Sequence, residues 1–261
     1  MKIIRAACIS LVLLLVLSLP LWAEDPLVYV YTEYVPANYR DEAGRHTGFF
    51  VEIIREAIEV RLGIPLVMEV YPWQRCQVMV ERGTADLMTT IPTRERLAYS
   101  VLVDSPIWVK KYHLYTWKGH HRIADMDHIH SIEELEAAGL SVVSYQGNNW
   151  SVSTLAAAGI PVHFAASVEG MYRMLVARRG DLIIDDPVLV CRALELYDLK
   201  ERVIRTEGLV EESAFHPLIG KKSPWSFLKE DLERVLKEMW EDGSIEAITK
   251  RHACSAGNYQ H

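Results

Sequence analysis

Five histidines, His113, His120, His121, His128 and His130, crowd one stretch of the chain, and histidine is a common metal ligand. Their spacings fit no defined site and the stretch reads as an exposed loop, so no metal site is expected. Cys76, Cys191 and Cys254 are too widely spaced for a zinc pattern. Signatures of covalent or phosphate chemistry are missing. There is no G-x-S-x-G elbow, no H-E-x-x-H and no G-x-G-x-x-G, and Gly220-Lys221-Lys222-Ser223 lacks the earlier glycine of a phosphate loop. The remaining chemistry is recognition. Arg94 and Arg96 sit in one charged turn, and a guanidinium fork meets both oxygens of a carboxylate. Gln146-Gly147-Asn148-Asn149 follows a strand-like run and precedes a helix, where amides can hold an anion.

The elements that would position these groups alternate. Leu27–Thr32, Pro65–Tyr71 and Ala85–Thr89 read as strands, separated by an amphipathic helix through Phe50, Ile53, Ile54, Ala57 and Ile58 and a second helix opening at Pro72-Trp73. Trp108–Trp117 reads as a longer strand. A second unit then begins with Ser131 and Glu134 as a capping box. Strands at Leu140–Tyr145, Pro161–Ala165 and Asp181–Asp185 follow, with helices from Ser151, Ser167 and Pro187 between and after them. A long helix is expected from Ser223-Pro224 to Gly243. This alternation implies α/β layers, with parallel sheets covered on both faces.

The 261 residues allow one large domain or two ordinary ones, with a core that needs no staples. Lys2 and Arg5 precede an apolar run from Ala6 to Leu19, then Pro20 and Leu21-Trp22-Ala23, which reads as a cleaved secretory leader over residues 1–23. Removing those two cations takes the formal charge from −7 to −9, which argues against a nucleic-acid partner. Export permits disulfides. Three mature cysteines allow one bridge at most and leave a thiol free.

An ordered series runs through the chain. Tyr34-Val35-Pro36 is followed by Gly48-Phe49, then by Gly83-Thr84-Ala85-Asp86, Thr93-Arg94-Glu95-Arg96 and Asp104-Ser105-Pro106. Gln146-Gly147, Gly180-Asp181 with Asp185-Asp186, and Asp242-Gly243-Ser244-Ile245 complete it. This series resembles the family-3 extracellular solute-binding proteins, the amino-acid-binding components of ABC importers, over essentially the whole mature chain. Pro72-Trp73-Gln74-Arg75 points to a divergent branch. The resemblance implies a two-lobed periplasmic-binding-protein fold, each lobe a mostly parallel sheet flanked by helices, joined by a two-strand hinge. Residues 24–114 and 212–261 would form lobe 1 and residues 115–211 lobe 2, with ligand held in the cleft between them. No cofactor is implied.

Residue by residue, the resemblance places Arg96 as the carboxylate clamp, with Thr89 and Thr90 as further donors. Asp186 takes the position of the ammonium-binding carboxylate, with Asp185 as its alternative, although an aspartate before Pro187 is equally a helix N-cap. Tyr34 and Trp73 match ligand-packing positions and offer apolar area with cation–π attraction. Asn148 and Asn149 stand where small hydroxyl residues are common. Arg75 would meet an acidic ligand group or pair along its own helix, and Trp150 would cover the pocket or pack. Phe50 replaces an acidic residue and fits the apolar face of its helix.

The function implied is capture of a small zwitterion, an amino acid or related carboxylate, by a periplasmic monomer that delivers it to an inner-membrane ABC permease. Two other functions use the same scaffold: a sensor that signals to a membrane receptor, and an exported dehydratase of prephenate-like acids. The last needs a positioned acid, for which Asp185, Asp186 and Glu169 are the candidates.

Overall fold

The computed structural model describes residues 25–148 and 150–253. The leader expected over residues 1–23, Asn149 and Cys254 lie outside that range.

The first sheet is built around β1 (Leu27–Tyr31), which runs parallel to both β4 (Leu66–Val70) and β5 (Leu87–Thr90). The two-residue strands β2 (Tyr39–Arg40) and β3 (His46–Thr47) form a small hairpin beside it. Period-two alternation divides the side chains of β1 between two faces. Leu27, Tyr29 and Tyr31 join a core with helix α1 (Phe49–Arg55), which continues as a π-helical turn over Glu56–Arg61. Val30 faces the other way, into a core with Cys76 and Val80 of α2 (Trp73–Arg82). Gly83 ends α2 in the left-handed conformation expected of a glycine stop. A short helix α3 (Arg94–Tyr99) and strand β6 (Ser100–Leu102) follow.

Two long strands connect this sheet to the second. They are β7 (Trp108–Trp117) and β11 (Val203–Gly220), paired antiparallel from Val203↔Trp117 to Phe215↔Trp108. The register shifts twice between Arg205 and Glu212. Beyond that ladder β11 enters the first sheet and pairs antiparallel with β5 and β6. The second sheet adds β8 (Val142–Tyr145) parallel to β9 (Val162–Ala165), and β10 (Ile183–Asp185) antiparallel to β7. A bridge between Val142 and Leu182 joins its halves. Both its faces are covered. Leu114, Val142 and Ile184 pack toward α4 (Ile123–Met126) and α5 (Ile132–Ala138), while Tyr115, Val143 and Ile183 pack toward α6 (Val168–Val176) and α7 (Pro187–Leu196). Ser131 and Ser167 cap α5 and α6 through the amides of Glu134 and Gly170.

Two sequence expectations need correction, and one strand has no sequence signal. The last long helix, α8 (Lys229–Glu241), starts later than Ser223, after a single 3-10 turn at Ser226–Leu228. The Ser223 hydroxyl donates to Asp86 at 2.6 Å and accepts from the Trp225 amide at 3.0 Å, so it closes a turn that precedes the helix. Residues 203–212, with Gly208 and three glutamates, show no strand pattern, yet they belong to one 18-residue strand held by β7. The histidine stretch is not uniformly exposed: His120 is buried and accepts from the Arg122 amide. Among the described residues no cluster could hold a metal ion, and no helix is long and apolar enough to cross a membrane. Cys76 is a free buried thiol and Cys191 is disulfide-bonded.

After α8, helix α9 (Ser244–His252) returns to the first core, where Ile245 and Ile248 pack with Leu232, Val235, Leu236 and Met239.

Candidate functional site

A cavity of about 150 Å³ opens at the end of the first sheet where β1 and β5 meet β11. Tyr34, Trp73, Thr89 and Thr90 line it, together with Tyr31, Thr32, Asn38, Phe50 and Phe215. Four of the residues expected from the sequence are therefore brought together. Local structure explains how. Tyr34 sits in a tight turn closed by its own carbonyl, which accepts from the amides of Ala37 and Asn38. Trp73 is the first residue of α2, so its ring overhangs the sheet end.

Beneath the cavity lies a buried hydroxyl relay. The Tyr29 hydroxyl donates to Asn38 Oδ1 at 3.0 Å and meets Thr89 Oγ1 at 2.8 Å. With its own proton spent on Asn38, Tyr29 must accept from Thr89. The Thr89 hydroxyl proton thus points inward and is not offered to a ligand. Burial pushes the Tyr29 phenol far above its usual range, so the relay stays neutral.

Arg96 is not one of the lining residues but lies against Trp73, which is. Its Cζ lies 5.3 Å from the centre of the Trp73 ring, Nη1 donates to the Ile91 carbonyl at 2.8 Å and Nε to Gln77 at 3.2 Å. These contacts fix the plane of the guanidinium against the indole that walls the cavity. Arg94 is exposed. Arg75 is also exposed and stacks at 4.1 Å on Tyr71, just before its helix, and neither residue lines the cavity.

Asp186 and Asp185 have different surroundings. Asp186 is 2% exposed, and both its oxygens are used: Oδ1 accepts from the Val188 amide at 2.9 Å and Oδ2 from the Lys111 amide at 2.8 Å. It caps α7 and ties that helix to β7. Burial pushes its carboxyl up to about 6. Asp185 instead pairs with Lys110 Nζ at 2.8 Å. That ammonium lies 4.7 Å from the Tyr112 ring centre and faces the Tyr34 hydroxyl, one wall of the cavity. Tyr145, at the end of β8, adjoins the same pair. Of the two, Asp186 is committed to backbone amides and Asp185 is the one paired with Lys110.

Asn148 caps the turn of helix after β8: its Oδ1 accepts from the Ser151 amide at 3.3 Å and its Nδ2 donates to Ser144. Trp150 packs, stacked on Tyr112 at 4.4 Å with its indole N–H donating to Glu211 at 2.8 Å. Phe50, Phe215 and Lys110 escaped the sequence reading as site residues. Phe50 carried a signal, an aromatic residue directly after Gly48-Phe49. Lys110 carried none, because a lysine within a strand reads as a solvated edge residue.

The model of the bacterial extracellular solute-binding proteins, family 3, matches residues 27–254. No curated protein matches the chain in sequence. Among solved structures, a probable amino-acid ABC transporter extracellular-binding protein from Bacillus subtilis superposes with a TM-score of 0.68 at 17% identity, over 88% of this chain and 98% of that one. The L-cystine solute receptor of Neisseria gonorrhoeae, in its unliganded open conformation, gives 0.67 at 18% identity, over 88% and 94%. The second substrate-binding domain of GlnP from Lactococcus lactis gives 0.65 at 18% identity, over 89% and 96%. At such identities the likeness is one of fold.

Proposed function

The chain belongs to the bacterial extracellular solute-binding proteins, family 3, and we propose that it captures a small carboxylate-bearing solute, an amino acid or a close relative, for an ABC-type permease. The observation that carries this reading is the aromatic cavity at the end of the first sheet, with Arg96 held against the Trp73 ring that lines it. In this proposal residues 24–114 and 212–261 act as one lobe and residues 115–211 as the other. Arg96 holds the ligand carboxylate, Thr90 lines the approach, and Tyr34 and Trp73 flank the ligand body. Asn148, Asn149 and the Asp185 region close from the second lobe. Asp186 acts through its neighbours, by holding α7 and β7 in register.

Binding stabilises the closed arrangement only by the contacts the ligand makes there and not in the open one. The protein works as a periplasmic monomer after loss of its leader. The neighbours named as transporter components, and a family of binding proteins, support this over catalysis.

The test is a melting panel on protein stripped of ligand by unfolding and refolding. Amino acids, dicarboxylates, small peptides and prephenate are compared. A ligand at about 100 times its Kd adds roughly 2.7 kcal/mol. One saturable carboxylate hit that is lost in Arg96→Ala, with compaction in small-angle scattering, supports the proposal. A flat panel from a folded protein removes it, and turnover of prephenate would replace it with an enzyme.

A further inference from the structure

Resting on that reading of the cleft, we propose that Lys110 is a built-in ammonium group that occupies Asp185, so that the ligand is a small carboxylate lacking an α-ammonium. An α-amino acid needs an anion for its ammonium as well as a cation for its carboxylate. None of the residues lining the cavity is acidic. Of the two aspartates at the junction, Asp186 has spent both oxygens on backbone amides. Asp185 Oδ1 already receives Lys110 Nζ at 2.8 Å and the Asp186 amide at 2.9 Å.

The Lys110–Asp185 pair is not a surface contact. The two side chains are 13% and 17% exposed. Tyr112 offers its ring face to the ammonium, and Tyr34 and Tyr145 close around the pair. Burial disfavours the lysine charge, but Asp185, with Tyr34 and Tyr112, more than offsets it. A ligand ammonium entering here would have to expel Lys110 from Asp185. That would leave a tethered cation beside the incoming one, with both oxygens of the neighbouring Asp186 already committed to backbone amides. A carboxylate alone requires no such exchange.

Specificity is therefore set by a side chain of β7 that stands in for part of the ligand. Removing it should convert the site. The experiment is titration calorimetry of stripped wild type, Lys110→Met, Lys110→Gln and Asp185→Asn against matched pairs. The pairs are glutarate with L-glutamate, 4-methylpentanoate with L-leucine and 3-phenylpropanoate with L-phenylalanine. Wild type should bind the amine-free member of one pair at least about tenfold more tightly than the amino acid. Lys110→Met and Lys110→Gln should reverse that order by a similar factor, since Asp185 is then left for the ligand ammonium. Asp185→Asn should tighten the amine-free carboxylate and gain nothing for the amino acid. Two lysine variants guard against one that fails to fold, and each is checked by its melting transition.

Wild type that prefers the amino acid, with Lys110→Gln weakening it, overturns the proposal and leaves the solute-binding function standing. Absence of binding by every compound to folded wild type overturns both.

Discussion

In the first sheet Asp86 accepts from the Val28 amide at 2.8 Å and the Ser223 hydroxyl at 2.6 Å, while its own amide donates back to the Val28 carbonyl. In the second sheet Asp181 accepts from the Ser141 amide and hydroxyl at 2.7 and 2.6 Å, and its amide likewise returns to the Ser141 carbonyl. Each aspartate follows a glycine-marked turn and fastens a neighbouring strand. The difference lies in depth and reach. Asp86 is 7% exposed and its serine comes from 137 residues away. The Asp181 side chain is 30% exposed, with its serine 40 residues away and His120 as a third partner. One motif serves as a clasp between the two ends of the chain in the first sheet, and as a local brace in the second.

The largest expected effect is on the deep clasp. Asp86→Ala should lose about 3 kcal/mol of unfolding free energy, because it strands a buried amide and hydroxyl, against about 1 to 2 kcal/mol for Asp181→Ala. Urea titration of both variants decides it, and an equal or larger loss at Asp181 breaks the comparison. Two glycines sharpen it. A Cβ on Gly220 would lie 2.8 Å from the Val80 carbonyl oxygen, whereas one on Gly180 would meet Val143 Cγ2 at 2.5 Å. A methyl group can rotate away and a helix carbonyl cannot. Gly220→Ala should therefore cost about 2 to 3 kcal/mol and Gly180→Ala about 1 kcal/mol, read from the same titrations.

The smallest effect is the pH profile. Burial alone would raise the Asp181 carboxyl, but Ser141 and His120 hold it below its ordinary value. Its contribution is full above the unfolded value near pH 4 and is lost as pH falls through the folded one. Asp186 behaves oppositely. Its folded carboxyl, pushed up to about 6 by burial, keeps a proton that the unfolded chain has released. Stability from this group should decline as pH rises from about 4 to about 6. Melting temperatures across that window should fall in wild type, and the slope should be reduced in Asp186→Asn.

Much of the framework was legible because it is local. The apolar run Leu27–Thr32 marked a strand, and Ser131, Ser167, Gly83 and Gly139 marked helix ends by their own chemistry. The Asp86–Ser223 contact was not legible, since nothing near Ser223 announces a partner so distant, and the serine read as a helix start. Strand β11 was hidden by Gly208 and its glutamates, because it is held by ladder bonds to β7 and not by an apolar face. Half the cavity wall was legible through Tyr34, Trp73, Thr89 and Thr90. For Asp185 and Asp186 the sequence offered both a cap and a ligand role. Only the direction of each carboxylate, set by β7 alongside, assigns the cap to Asp186.

Strand β11 has a consequence for the order in which the chain takes shape during synthesis. As the polypeptide emerges from its N-terminus, β1, β4, β5 and α1 are available early, but the strand that flanks β5 is His216–Ile219 and the helix α8 that completes their shared core begins at Lys229. The first core therefore lacks part of its wall until α8 has been made. The second core draws on residues 112–210, so it has all its parts sooner. A nascent chain built this way holds its earliest strands in an incomplete, loosely structured state longest. Such a state is suited to threading through a secretion channel, and the arrival of the last fifty residues then locks both ends together.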